Sequence, residues 1–285
     1  MSFGGTYDTA TTSRSNRADF ERFLARVQQR RGIDPFSARK LVLDLSIVAH
    51  GGRRCFMNDY APGVHTETLA ALVRDAVDVY GRIAHGMIVV TFRSVDFVVH
   101  LGHWHRGVRG VLEVMGAATP LESRWLAATE AKLAVMDDVC DKAMKPVNEE
   151  RCAVIDLDSI IEQPKYVREA TMSGPTWAGL LLAYPCVYCF LSGEMDEASK
   201  VLSSVTLEHF SIECVHSSIP EFAERTTICA FTVPIKHGLE PAMLSEFEKV
   251  VVEWEQCIRK VLNCWGFTMT CVKSIKDANS MKVVF

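Results

Sequence analysis

The chain has 285 residues, 48% of them hydrophobic, 23% charged and 9% aromatic, with a net charge of -4 and an isoelectric point near 6.2. That is enough apolar material for a full core, and the slight acidity argues against a nucleic-acid partner, which needs clustered Lys and Arg. The basic clusters are short: "RRG" (30–32), "GGRR" (51–54) and "RGVRG" (106–110).

In chain order, the first 16 residues are rich in Ser, Thr and Gly and read as a disordered leader. They hold no apolar stretch of the kind a secretory signal requires. Residues 18–30 predict a helix, with Phe20, Phe23, Leu24 and Val27 at helical spacing. "KLVLDLSIV" (40–48) predicts a strand. Leu41, Leu43, Leu45 and Ile47 would share one face, and Val42, Asp44, Ser46 and Val48 the other. A Gly-rich loop from Ala49 to Gly63 follows, with a short strand expected at Cys55–Met57. The next helix is expected to be capped by Thr66 and to bury Leu69, Leu72, Val73, Ala76 and Tyr80.

Strands over 86–92 and 95–101 flank Arg93-Ser94, a length that suits a hairpin. Thr119-Pro120-Leu121-Glu122 is a helix start by N-cap, first-turn proline and capping-box glutamate, and that helix should run to about Lys145. A strand over 152–160 and a short apolar helix over Gly174–Ala183 come next. Pro185 ends that helix, because the residue before a proline avoids the helical region. Strands at Val187–Leu191, Val205–Cys214 and Thr226–Val233 precede a helix from Pro241. Its face carries Met243, Phe247, Val250, Trp254, Ile258 and Val261, and Gly266 stops it. A last strand covers 267–273.

This order mixes hairpins with crossover helices. It predicts an α+β or mixed-sheet α/β fold with a mixed, mostly antiparallel sheet and flanking helices, in a single globular domain over 17–285. The longest apolar run, 178–190, is too short to span a bilayer and contains Pro185. A soluble protein of the cytoplasm or nucleocytoplasm, without a membrane partner, is the expectation. The ten cysteines include Cys140, Cys229, Cys257 and Cys271 inside apolar periodic segments, and they read as small core residues of a reducing compartment.

The sequence carries no dinucleotide fingerprint, Walker loop, nucleophile elbow or zincin motif, and it names no cofactor, partner or oligomeric state. "VVHLGHWHRG" holds His100, His103 and His105. On a strand His103 and His105 share a face and would be the pair to test for metal, but the preferred reading is a strand end entering a loop. Asp156 and Asp158 share a face in the expected strand over 152–160, and solvent exposure is preferred to divalent-cation binding. Cys186-x-x-Cys189 lies in a strand rather than at a helix start, so its sulfurs read as core. Asp44 is the more pointed case, because an unpaired buried carboxylate is costly. It needs a wet face or a partner such as Arg53 or Arg54.

Two readings follow. The first is a non-catalytic binding or scaffold protein. The second is a hydrolase or transferase acting on a small phosphorylated or nucleotide-like substrate. There Asp44, Asp59 and Tyr60 would be catalytic, and the loop Gly51, Gly52, Arg53 and Arg54 would hold an anion.

Four segments, 41–63, 178–190, 198–212 and 229–258, resemble an uncharacterised eukaryotic family whose vertebrate member is known only as an open reading frame on chromosome 1. The matching positions are Asp44, Asp59, Tyr60, Tyr184, Pro185, Tyr188, Phe190, Val233 and Pro234. Ala183 stands where the family pattern has glycine. The resemblance implies one domain and assigns no activity.

Overall fold

A computed structural model of the chain describes residues 9–61, 63–104, 111–114, 134–143, 152–166, 172–184, 186–196, 198, 200, 207–234 and 241–276. The expected helix start at Thr119 and the residue His105 lie outside them. Helix α1 (Thr9–Gln28) begins inside the segment expected to be a disordered leader. Its buried Phe20, Phe23, Leu24 and Val27 anchor it, and the helix continues back from them despite the weak helix formers there.

Helix α2 (Pro35–Ala49) replaces the strand expected over 40–48. Its start is well marked: the Asp34 carboxylate accepts from the Phe36 and Ser37 amides at 3.0 Å each, and Pro35 occupies the first turn. From Leu41 to Ala49 every residue is buried, so the helix is apolar almost all round and has no amphipathic period to betray it. The alternation of leucines that mimics a strand is an accident of that full burial.

Helix α2 ends in a Schellman turn. Gly51, at φ +74°, donates to Val48 O, and Gly52 donates to Ile47 O. Strand β1 (Cys55–Met57) and helix α3 (Thr66–Tyr80) match expectation, and all five predicted α3 core residues are buried. The expected cap does not: the N-cap position is His65, and the Thr66 hydroxyl instead donates to the Asp96 carboxylate at 3.1 Å.

Strands β2 (Met87–Phe92) and β3 (Val95–His100) form the expected antiparallel hairpin. Arg93 and Ser94 both take positive φ, as a two-residue turn that matches the strand twist requires. A single helical turn, α4 (Leu101–Trp104), follows, then β4 (Val111–Val114) and helix α5 (134–143). The strand expected over 152–160 divides into β5 (Val154–Asp156) and a helical turn α6 (Asp158–Ile161). The Asp156 carboxylate causes the break, accepting from the Asp158 amide and the Ser159 hydroxyl.

Helix α7 (Gly174–Leu182) is capped by Ser173 and ends at Ala183 in the left-handed region, φ 51° and ψ 41°. That conformation is why glycine suits this position. Strands β6 (Cys186–Cys189), β7 (Leu207–Val215) and β8 (Thr226–Pro234), helix α8 (Pro241–Cys264) and strand β9 (Thr268–Lys276) complete the described chain.

The fold is a single α+β domain. Its strands divide among three sheets: β1-β3-β2-β5, with β5 parallel to β2; the parallel pair β4-β6; and antiparallel β8-β7-β9. The β2–β3 hairpin separates two apolar cores by alternation. Val89 and Val98 face α1, α2 and α3, while Val90, Phe92, Phe97 and Val99 face α5 and α7. Of the cysteines expected in the core, Cys55, Cys189, Cys214 and Cys229 are buried. Cys140 and Cys271 are half-buried and Cys257 is exposed, because helix and strand faces decide burial residue by residue.

Candidate functional site

A cavity of about 350 Å³ opens between α2, the loop leading to β1, the end of α7 and strand β8. Its polar wall is made by Lys40, Asp44, Arg53, Asp59, Tyr60 and Tyr184. Because α2 is a helix, Lys40 and Asp44 lie one turn apart on one face. The same geometry puts Ser46, once expected beside Asp44, on another face, where its hydroxyl is 2.6 Å from the Tyr80 hydroxyl.

Asp44 and Arg53 form the centre. Both are buried, with side chains 2% and 5% exposed. Arg53 Nη1 donates to Asp44 Oδ1 at 3.1 Å and to Ile228 O at 3.1 Å. The other carboxylate oxygen accepts from the Tyr60 hydroxyl at 2.8 Å and from Lys40 Nζ at 3.3 Å. Lys40 also donates to Thr227 O and sits 4.3 Å from the centre of the Tyr60 ring. The Asp44 carboxylate thus accepts from three donors, two of them cationic.

The remaining groups are less occupied. Arg53 Nε is buried and has no hydrogen-bond partner among the described residues. Asp59 is exposed at the cavity mouth. The Tyr184 ring lies tilted against Phe231, centroids 5.7 Å apart. Burial, reinforced by Asp44, holds the Tyr60 phenol well above its ordinary value. Burial also raises Tyr184, against the pull of Arg53. Burial pushes the Cys229 thiol, in the floor of the cavity, up to about 12. These groups stay protonated at neutral pH.

The structure brings together Asp44, Arg53, Asp59 and Tyr60. It does not bring in the rest of the expected loop. The Gly51 and Gly52 amides are spent on capping α2. Arg54 lies outside the cavity lining, and its carbonyl accepts from the His100 amide. His103 sits in the turn α4 rather than on a strand, and His105 lies outside the described residues. The His103 ring lies 4.1 Å from that of His100 and packs on Gly51, where a Cβ would meet it at 2.9 Å. His100 Nε2 is 2.8 Å from Ile83 O. Among the described residues no three His, Cys, Asp or Glu side chains form a metal-binding group.

Two residues of the polar wall, Lys40 and Tyr184, were not read as site residues from sequence. Lys40 becomes visible only once 40–48 is helical, through its spacing of four from Asp44. Tyr184 carried no spacing signal, only its place in the resemblance.

The fold and this cavity define a single-domain α+β protein with a charged pocket built on a buried aspartate–arginine pair. The chain belongs to the family described as Domain of unknown function (DUF4504), whose model matches residues 23–264. No curated protein and no solved structure matches it. Among the described residues, no helix is long and apolar enough to cross a membrane.

Proposed function

We propose that the protein is a non-catalytic small-molecule binding protein whose ligand sets an oxyanion, phosphate or carboxylate, against Arg53. One observation carries this reading. Arg53 is buried in the cavity wall, and among the described residues it donates through Nη1 and its Nε has no hydrogen-bond partner. An orphaned buried donor is rare in folded proteins and calls for an acceptor. The binding reading is preferred to catalysis because Asp44 is held by three donors and the Tyr60 and Cys229 groups are protonated. A cytoplasmic or nucleocytoplasmic setting goes with it: nine of the ten cysteines are free thiols, which suits a reducing compartment. Fractionation of cells would place it, and recovery in a secreted fraction would refute that setting.

The alternative, a hydrolase or transferase on a small phosphorylated or nucleotide-like substrate, keeps one supporting observation. Asp59 is exposed at the mouth of the cavity that holds Asp44 and Tyr60, positioned to act as a base.

The test is a thermal-shift series with inorganic phosphate, nucleotides and phosphosugars. At a hundredfold excess over Kd, a specific ligand adds about 2.7 kcal/mol. Arg53→Lys keeps the charge but loses the planar fork, and should weaken binding at least about tenfold. If no oxyanion raises the melting temperature, the binding reading fails. Turnover of a bound phosphate ester that stops in Asp59→Asn would establish the alternative instead.

A further inference from the structure

Beside the Arg53 cavity lies a second one, of about 640 Å³. Its walls are apolar: Phe92, Val95 and Phe97 from the β2–β3 hairpin, Ala178 and Leu182 from α7, and Phe231 from β8. The polar groups along it are engaged within the protein. The Tyr188 hydroxyl donates to Thr232 O at 2.9 Å, and Arg93 Nη2 donates to Met172 O at 3.3 Å. The surface left facing the opening is mostly hydrocarbon, which gains by being covered, with the exposed Arg93 beside it.

Met57, Leu182 and Tyr184 line both cavities. The charged cavity and the apolar one therefore share a wall. Tyr184 stands at the junction, its ring against Phe231 and its phenol within electrostatic reach of Arg53 and Asp59. The left-handed turn at Ala183 ends α7 just before it, which brings the tyrosine to this boundary.

We propose that the two cavities are one bipartite site, and that its ligand is an amphiphilic anion: an oxyanion head at Arg53 and an unbranched apolar tail along the groove between α7 and the β2–β3 hairpin. This rests on the reading of Arg53 as the anion site and adds the class of molecule that carries the anion. A bare phosphate, sugar phosphate or nucleotide would leave the groove open. A neutral lipid would bring no anion to Arg53 Nε.

The experiment is calorimetric titration of the full chain with inorganic phosphate and with ethyl, butyl, hexyl and octyl phosphate below their micelle concentrations, and with octanol. A fully buried methylene is worth about a factor of four in affinity, so partial burial in this open groove should tighten binding about two- to fourfold per methylene. Octanol should bind at least about tenfold more weakly than octyl phosphate. Ala178→Trp fills the groove and should bring octyl phosphate down to the affinity of inorganic phosphate. Val95→Trp, at the half-exposed end of the hairpin, does the same without entering α7.

If phosphate binds but affinity does not rise with chain length, the bipartite site is refuted while the Arg53 reading stands. That is also the result if undescribed residues of this chain, or a second copy, fill the groove. If octanol and octyl phosphate bind equally, the head contributes nothing and the proposal is refuted. If none of the compounds binds, the Arg53 reading itself falls and takes this one with it.

Discussion

Asp44→Asn tests whether the buried network works as its geometry implies. The substitution keeps size and shape but removes the full negative charge that Asp44 holds against Arg53, whose side chain is 5% exposed. It also presents an amide N–H₂ where at least one of three donors now points. A buried cation left without its partner costs about 3–5 kcal/mol. For a chain of this size that is a fall in melting temperature of roughly 10 °C. The loss should read out in urea unfolding followed by the fluorescence of the five tryptophans, as a lower midpoint at unchanged slope. The informative partner is the double variant Asp44→Leu, Arg53→Met. Replacing a buried ion pair by apolar groups is commonly neutral or stabilising, so the double variant should be more stable than Asp44→Asn and within about 2 kcal/mol of the parent. It should also lose all oxyanion binding. A cost below about 1 kcal/mol for Asp44→Asn would refute the buried network. A double variant as unstable as the summed single substitutions would refute the argument that the charges are kept for a ligand.

His50 gives a pH dependence. Its ring is packed edge-on between Tyr80 and Trp265, both with centroids 4.9 Å away, and burial lowers it from the ordinary value of 6.5. Below about 6.5 the unfolded chain binds the proton that the folded chain refuses, so this contribution is complete above that value and is lost as pH falls toward the lowered folded value. Urea midpoints at about pH 7.5 and about pH 5.5 should differ less in His50→Gln than in the parent; an equal difference would count against the burial argument. Ala183→Gly relieves the left-handed conformation at φ 51° and should add roughly 0.5–1 kcal/mol, read as a higher melting temperature. An unchanged or lower one would show that the turn is unstrained.

The parts legible in the sequence are those with one-sided burial or with a turn that splits two apolar runs. Helix α3 shows a clean stripe because its other face meets water, and the β2–β3 hairpin shows two apolar runs separated by two residues. Helix α2 was misread for the opposite reason: buried on all sides, it has no polar face to set a period. Its true signal lay outside the apolar run, in Asp34-Pro35 before it and Gly51-Gly52 after it. Those glycines drew notice as an anion loop, yet a glycine pair after an apolar helix is equally the mark of a Schellman stop. The histidines misled for a related reason. A strand's alternation was carried past His100, where the chain turns into α4 and only one of the two expected ligands, His103, is described.

The site itself is more local than a cavity between distant elements suggests. Asp44 and Arg53 are nine positions apart, and Asp44 and Tyr60 sixteen. Helix α2 carries Lys40 and Asp44 on one face, the Schellman turn reverses the chain, and the loop leading to β1 lays Arg53 back against the face it left. The glycines thus act through geometry: without Gly51 at positive φ the chain would not double back at the spacing that puts a guanidinium on that carboxylate. The charged side chains come from this short stretch, while the end of α7 and residues 227–230 of β8 close the charged cavity, and Ala178 and Leu182 of α7 with Phe231 of β8 line the apolar one. Substitutions in 40–60 should therefore alter which head group is accepted, and substitutions in 178–184 the length of tail. A ligand that responds to both sets in one titration would show that the two halves are a single site.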